Sequence, residues 1–244
     1  MNNLFYFDKN QLYQTSLSSK RSYLNAMPFS HVVLDHFLPN HVLDGVLDEF
    51  PNPEGMAWKQ FSNPREEKLA SISDDQYGSR TRHLLAQFNG STFVVFLENL
   101  TGIKGLIPDP HFFGGGLHQI TRCGYLKIHA DFNWYERLRL YRRINVLIYL
   151  NKDWKEEYGG HLELWDKKMS KCQKRVLPAF NRCVIFNTTD HAFHGHPEPL
   201  SCPDGMTRKS LALYYYTNGR PFRERSFSHS TLFKKRPNDH WKNS

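Results

Sequence analysis

The chain has 244 residues and a mass of 28.7 kDa, enough for one large domain or a core with extensions. Hydrophobic residues at 39% and charged residues at 23% exclude a disordered chain, and no apolar run approaches the roughly 20 residues of a membrane span. The balance of 32 basic against 24 acidic residues, +8 net, favours anionic partners, but no nucleic-acid recognition motif accompanies it.

The opening residues lack the basic start and apolar stretch of a signal peptide. Residues 1–28 are polar and aromatic without clear period and read as an extension that wraps the domain or frays. Residues 31–38 read as a strand. Pro39-Asn40 then opens a helix carrying Val42, Leu43, Val46, Leu47 and Phe50 on one face, stopped by Pro51 and Pro53. Residues 54–86 read as a long irregular loop, a candidate lid. A second helix is predicted over 91–100, capped by Ser91 or Thr92 and ended by Gly102. After Pro108 come short β-rich runs at 117–122, 125–130, 143–150, 161–165, 175–177, 183–187 and 208–217, separated by Gly, Pro and Asn turn signals. Many short strands without intervening helices predict a mainly β, α+β fold, a jelly roll with two N-terminal helices leaning on it. The expected parts are an extension (1–30), a helical support region (31–110), the jelly roll (111–219) and a basic C-terminal segment (220–244), in one compact unit. The last segment holds seven basic residues against two acidic ones, with Phe227, Leu232, Phe233 and Trp241 interspersed. It is expected to fold back near the N-terminal helices or dock a partner. Cys123, Cys172, Cys183 and Cys202 lie far apart without a CxxC pair, so a reducing cytoplasm is the expected location.

The chemistry begins at His129-Ala130-Asp131. On a strand, side chains two apart point the same way, so imidazole and carboxylate reach a common point. A later group holds three histidines, His191, His194 and His196, and Arg208 then opens a buried strand. Two histidines and one carboxylate on one side of a metal form the facial triad of non-haem Fe(II) oxygenases, with positions left open for an oxo acid and O2. A buried arginine can grip the remaining carboxylate of that acid.

Four segments in this order resemble the prolyl-hydroxylase-like branch of the 2-oxoglutarate/Fe(II) dioxygenases: Gly124 to Asp131; Ile148 to Trp154 followed by Gly159 to Leu164; Arg182 to Phe186 through to Phe193-His194; and Arg208-Lys209-Ser210-Leu211. The resemblance implies a double-stranded β-helix over roughly 117–217. It implies that His129, Asp131 and His194 bind Fe(II), and that Arg208 binds the distal carboxylate of 2-oxoglutarate with Tyr149 and Ser210. It selects His194 among the three histidines because the ligand follows a Phe-rich turn. O2 and ascorbate, as an accessory reductant, complete the implied cofactors. Asp131 distinguishes hydroxylation from halogenation, since halogenating relatives lack this carboxylate.

For the substrate, the resemblance makes a peptidyl proline or another amino-acid side chain the leading class. Trp134, Arg137 and His196 are candidate substrate residues, and Arg137, Arg139, Arg142 and Arg143 a basic rim suited to an acidic peptide or small molecule. The alternatives are the same chemistry on a small metabolite or nucleic acid, including demethylation, and a non-catalytic jelly-roll binding module. No membrane partner is expected, and the oligomeric state is open.

Overall fold

Two ten-residue runs, Leu140–Tyr149 and Arg208–Thr217, are buried on both faces, and the fold is built around them. In the computed structural model, which describes residues 4–241, the helices are α1 (Lys9–Leu24), α2 (Asn40–Asp48), α3 (Ser79–Phe88) and α4 (Ser91–Thr101). The strands are β1 (His31–Leu34), β2 (Trp58–Asn63), β3 (Glu66–Ser71), β4 (Ile107–Pro108), β5 (Gly116–Ile120), β6 (Tyr125–Ala130), β7 (Trp134–Tyr135), β8 (Leu140–Tyr149), β9 (Leu162–Trp165), β10 (Cys172–Val176), β11 (Arg182–Asn187), β12 (His194–His196), β13 (Arg208–Thr217) and β14 (Leu232–Phe233). They pair in the order β1-β11-β8-β13-β5-β3-β6-β12-β9-β10, a nearly closed antiparallel jelly-roll barrel, with β14 added to β6 and β2 to β3.

Strand alternation sorts the side chains. Ile144, Val146 and Ile148 on β8 and Leu211, Leu213 and Tyr215 on β13 face outward into the main core. There they meet Val42, Leu43 and Val46 of α2, Leu84, Leu85 and Phe88 of α3, and Phe93, Phe96, Leu97 and Leu100 of α4. Each such side chain, fully buried, contributes about 1.5–3 kcal/mol. Their neighbours Asn145, Leu147 and Tyr149, and Arg208, Ser210, Ala212 and Tyr214, face the barrel interior.

The structure departs from the sequence reading at several places. Residues 1–28 contain α1, capped by Asp8, whose side chain accepts from the Gln11 amide at 2.7 Å. Its buried stripe is only Leu12, Ser16 and Tyr23, too narrow to show as a period, and the Tyr23 hydroxyl ties it to Asn187 at 2.5 Å. Residues 54–86 are not an irregular loop. They form the β2–β3 hairpin, whose charged, half-exposed residues hide the alternation, and α3. The α3 N-terminus has no cap of its own: Glu49, at the end of α2, accepts from the Thr81 amide at 2.6 Å. Among the described residues the α-helices therefore number four, not two, and the cap of α4 is Gly90, with no side-chain cap bond from Ser91 or Thr92. The first strand is shorter than expected, and β12 was missed.

The C-terminal segment does fold back: Arg220, Pro221 and Glu224 share a groove with Leu24 of α1 and Thr101 of α4, and the rest runs on along the barrel. Leu232 and Phe233 pair with Ala130 and His129 on the edge of β6, beyond the point where β3 pairs with Tyr125 and Leu126. Glu224 bridges Arg143 at 3.1 Å and Arg220 at 3.5 Å, His229 reaches Asp190 at 3.0 Å, and Arg236 reaches Glu198 at 2.6 Å. Among the described residues no helix is long and apolar enough to cross a membrane.

Candidate metal and co-substrate site

β6 and β12 run antiparallel with His129 opposite His194 and Leu126 opposite His196. Between these pairs two residues on β6, Lys127 and Ile128, thus lie opposite one on β12, Gly195. This bulge turns both Leu126 and His129 to the interior, as bulges beside functional sites commonly do. The strands approach closely because residue 195 is glycine: a Cβ there would lie 2.7 Å from the Leu126 carbonyl oxygen. Asp131 follows β6. Its carboxylate oxygens lie 3.6 Å from His129 Nε2 and 3.5 Å from His194 Nε2, and the three ligand atoms fall within 4.8 Å of one another. His129 Nδ1 meets the Lys127 carbonyl and His194 Nδ1 the Ala192 carbonyl, each at 2.9 Å. With Nδ1–H donating to a carbonyl, each Nε2 presents a lone pair towards Asp131. The three residues could hold a metal ion.

Asp131 is supported from behind. Arg142 Nη2 lies 3.2 Å from its Oδ2, and Asn145 Nδ2 donates to the same oxygen at 2.7 Å. Asn145 Oδ1 in turn accepts from Arg142 at 2.7 and 3.0 Å. Burial works against the Asp131 charge, but Arg142 and the two histidines outweigh it and hold the pKa well below the usual carboxylate value. Burial also pushes His194 down, to about 4, only partly opposed by Asp131. Near neutral pH the site therefore offers a carboxylate and an unprotonated His194 imidazole, the form that ligates.

At the other end of the cavity stand Arg208, Tyr149 and Ser210. Ser210 lies directly opposite Tyr149 across the β13–β8 pair, and Arg208 two residues along shares its face. Arg208 Nε donates to the Gly160 carbonyl at 2.8 Å, and its Nη2 reaches the Tyr149 hydroxyl at 3.3 Å. Gly160 has φ +70°, and a Cβ there would lie 2.9 Å from Arg208 Cδ, so glycine makes room for the arginine. Burial lowers the Arg208 pKa and raises that of Tyr149. Among the described residues no carboxylate pairs with Arg208. A buried cation without a counter-charge suits an anionic ligand.

The expected site residues separate into two groups. His129, Asp131, His194, Tyr149, Ser210, Arg208 and His196 line one cavity of about 90 Å³. Trp134 and Arg137 do not reach it. They line an outer groove of about 650 Å³ with Phe113, Phe132, Tyr135 and residues 228–231 of the C-terminal segment. His191 is exposed. The basic rim is half of what was expected: Arg137 and Arg139 are exposed, but Arg142 and Arg143 are 1% and 6% exposed. Sequence reasoning also missed Asn145 and Phe233, whose ring centroid lies 5.5 Å from that of His129. The long connection from His194 to Arg208 does not disturb the register. It is tied down by Cys123 N to Leu200 O at 2.9 Å, Leu200 N to Gly124 O at 3.1 Å and Arg122 Nη1 to Cys202 O at 2.7 Å.

Residues 115–216 match the model of the 2OG-Fe(II) oxygenase superfamily. The prolyl 3-hydroxylase OGFOD1 of Mus musculus is 30% identical over 79 residues, which make up 31% of this chain and 14% of that protein. The match thus spans a small part of that relative. In fold, the chain is similar to a Trichoplax adhaerens prolyl hydroxylase solved with a hypoxia-inducible-factor peptide (18% identity, TM-score 0.59, covering 85% of this chain and 91% of that one). It is also similar to a Pseudomonas putida prolyl-4-hydroxylase (15% identity, TM-score 0.60, 85% and 100%). HygX of Streptomyces hygroscopicus, solved with nickel, 2-oxoglutarate and hygromycin B, shares the fold at 11% identity and TM-score 0.55, covering 87% of this chain and 96% of that one.

Proposed function

We propose, from the premise that residues 115–216 match the 2OG-Fe(II) oxygenase superfamily, that the chain hydroxylates an unactivated C–H of a peptide side chain, with proline the leading target. One observation carries the reading: the His129–Asp131–His194 cluster and an unpaired, buried Arg208 face each other in one cavity. The donor set fits the cofactors. Two imidazole nitrogens and a carboxylate suit Fe(II), and Arg208 with the Tyr149 hydroxyl suits the distal carboxylate of 2-oxoglutarate. Bound together, iron and 2-oxoglutarate supply activation of O2 coupled to decarboxylation of the oxo acid to succinate.

The chain's own residues do the rest. Arg142 and Asn145 keep Asp131 charged and fixed in direction. The carbonyls of Lys127 and Ala192 fix the orientation of each histidine ring and hold a proton on Nδ1, so that Nε2 of the neutral ring is turned to the site. Tyr149, held protonated by burial, can donate to the carboxylate that Arg208 neutralises. The apolar walls, Leu126, Leu147 and Leu162, exclude water from the reacting centre.

The peptide reading is supported by size. A cavity of about 90 Å³ is far below the roughly 300–1,000 Å³ of sites that enclose a small-molecule ligand. With the oxo acid inside, the target must reach in from outside. The aromatic groove beside Asp131 offers a larger surface for the flanking residues. The prolyl hydroxylases among the similar proteins favour proline within that class.

The test is incubation of proline-containing peptides, acidic and neutral, with Fe(II), 2-oxoglutarate, O2 and ascorbate. Mass spectrometry should find one added oxygen per succinate formed, and none with His129→Ala. Succinate formation driven only by small metabolites would move the substrate out of the peptide class, and no decarboxylation with any co-reactant would end the reading.

A further inference from the structure

Buried polar side chains nearly always find a partner, and His196 has none: both ring nitrogens are buried and unbonded among the described residues. The residue is 4% exposed and lines the same cavity as Arg208. Its location follows from strand register. His194 lies opposite Leu164 on β9, so antiparallel pairing carries His196 alongside Leu162. That is two residues from Gly160, whose carbonyl accepts from Arg208 Nε. His196 therefore sits at the Arg208 end of the cavity, on the wall facing β13 and β8.

The other charges there are accounted for. Lys68 pairs with Glu66 at 3.0 Å, and His118 Nε2 meets the Gly114 carbonyl at 3.1 Å. Asp131, at the opposite end, is held by Arg142. An imidazole N–H at this position thus has no acceptor in the protein and shares its end of the cavity with a cation that has no counter-charge.

We propose that His196 is the second arm of the distal-carboxylate subsite. Its ring N–H donates to the carboxylate that Arg208 neutralises, so the oxo acid is gripped from both walls of the barrel. The inference rests on the Arg208 reading given above.

Calorimetric titration of the Mn(II)-loaded protein tests it without turnover, using 2-oxoglutarate and 2-oxobutanoate, which lacks the distal carboxylate. His196→Val should weaken 2-oxoglutarate binding about ten- to a hundredfold, the cost of a hydrogen bond to a charged group. It should leave 2-oxobutanoate binding within about twofold, and His196→Asn, which keeps a donor, should recover most of the loss. In the unaltered Zn(II)-loaded protein, the ring ¹⁵N signals of His196 should move on adding 2-oxoglutarate and not on adding 2-oxobutanoate. Equal losses for both acids, or ring signals indifferent to the distal carboxylate, overturn the inference. If Arg208→Ala weakens 2-oxoglutarate binding and His196→Val does not, only the role of His196 fails. If neither does, the Arg208 reading fails with it.

Discussion

The two ends of the cavity treat buried charge in opposite ways. At one end Asp131 has its counter-charge built in: Arg142 lies 3.2 Å away and Asn145 links the two. At the other end Arg208 is equally buried and has only neutral partners, Tyr149 and the Gly160 carbonyl. A paired buried charge is fixed before any ligand arrives, whereas an unpaired one costs stability until a ligand neutralises it. On the proposed function, the difference separates a preformed set of metal ligands from a binding subsite completed by its co-substrate.

The largest expected effect breaks the first end outright. Asp131→Ala or His129→Ala should abolish both iron binding and turnover, measured as metal content and succinate release, while His191→Ala leaves metal content intact. Arg142→Met should come next. Breaking a buried pair by removing one partner costs about 3–5 kcal/mol, read in denaturant unfolding. Loss of such outer support should also weaken metal binding about 10- to 100-fold. Adding Asp131→Asn to Arg142→Met should restore much of the stability though not the metal. Arg208→Met sharpens the contrast: 2-oxoglutarate binding should fall about ten- to a hundredfold, yet the ligand-free protein should unfold at the same or a higher temperature. Tyr149→Phe should weaken binding more mildly. A clear loss of ligand-free stability in Arg208→Met would show that Arg208 is paired after all.

The smallest effect concerns the C-terminal segment. Burial opposes the charges of Asp190 and Asp239, but hydrogen bonds from His229 and Ser226, and from Arg236, hold both pKa values down. A carboxylate with a depressed folded pKa contributes stability above its unfolded value of about 4 and loses it as pH falls through the folded value. Hydrogen-exchange protection factors, corrected for the intrinsic pH dependence of amide exchange, should therefore hold at residues 226–236 from pH 7 to 5 and fall below about pH 4, ahead of those of β8 and β13. Release of the segment above pH 5 would show that these pairs do not hold it.

Much of the barrel was legible because β8 and β13 are apolar on both faces, and because His129 and Asp131 obey simple strand parity. What escaped did so for identifiable reasons. Plain alternation on β8 would send Arg142 outward with Ile144. A bulge intervenes, since Tyr215 faces Ile144 while Tyr216 faces Arg142, and the guanidinium turns inward to Asp131. A residue placed by a one-residue irregularity carries no period in the sequence. The β2–β3 hairpin escaped because a short strand inserted between β5 and β6 needs little apolar character of its own. α3 escaped because its cap, Glu49, lies on another helix. The three-residue strand β12 is too short to alternate, so choosing among its histidines rested on resemblance rather than on pattern.

The pairing of Leu232 and Phe233 with β6 also bears on solubility. Beyond its contact with β3, the edge of β6 would otherwise present free backbone N–H and C=O groups beside Ile128 and Ala130, a template on which a second chain could add a strand. β14 occupies that edge, and Lys234 and Lys235 follow it with like charges that repel an approaching copy. A chain cut after Pro221 would therefore expose an adhesive edge on the strand that carries His129, and self-association would accompany any loss of activity.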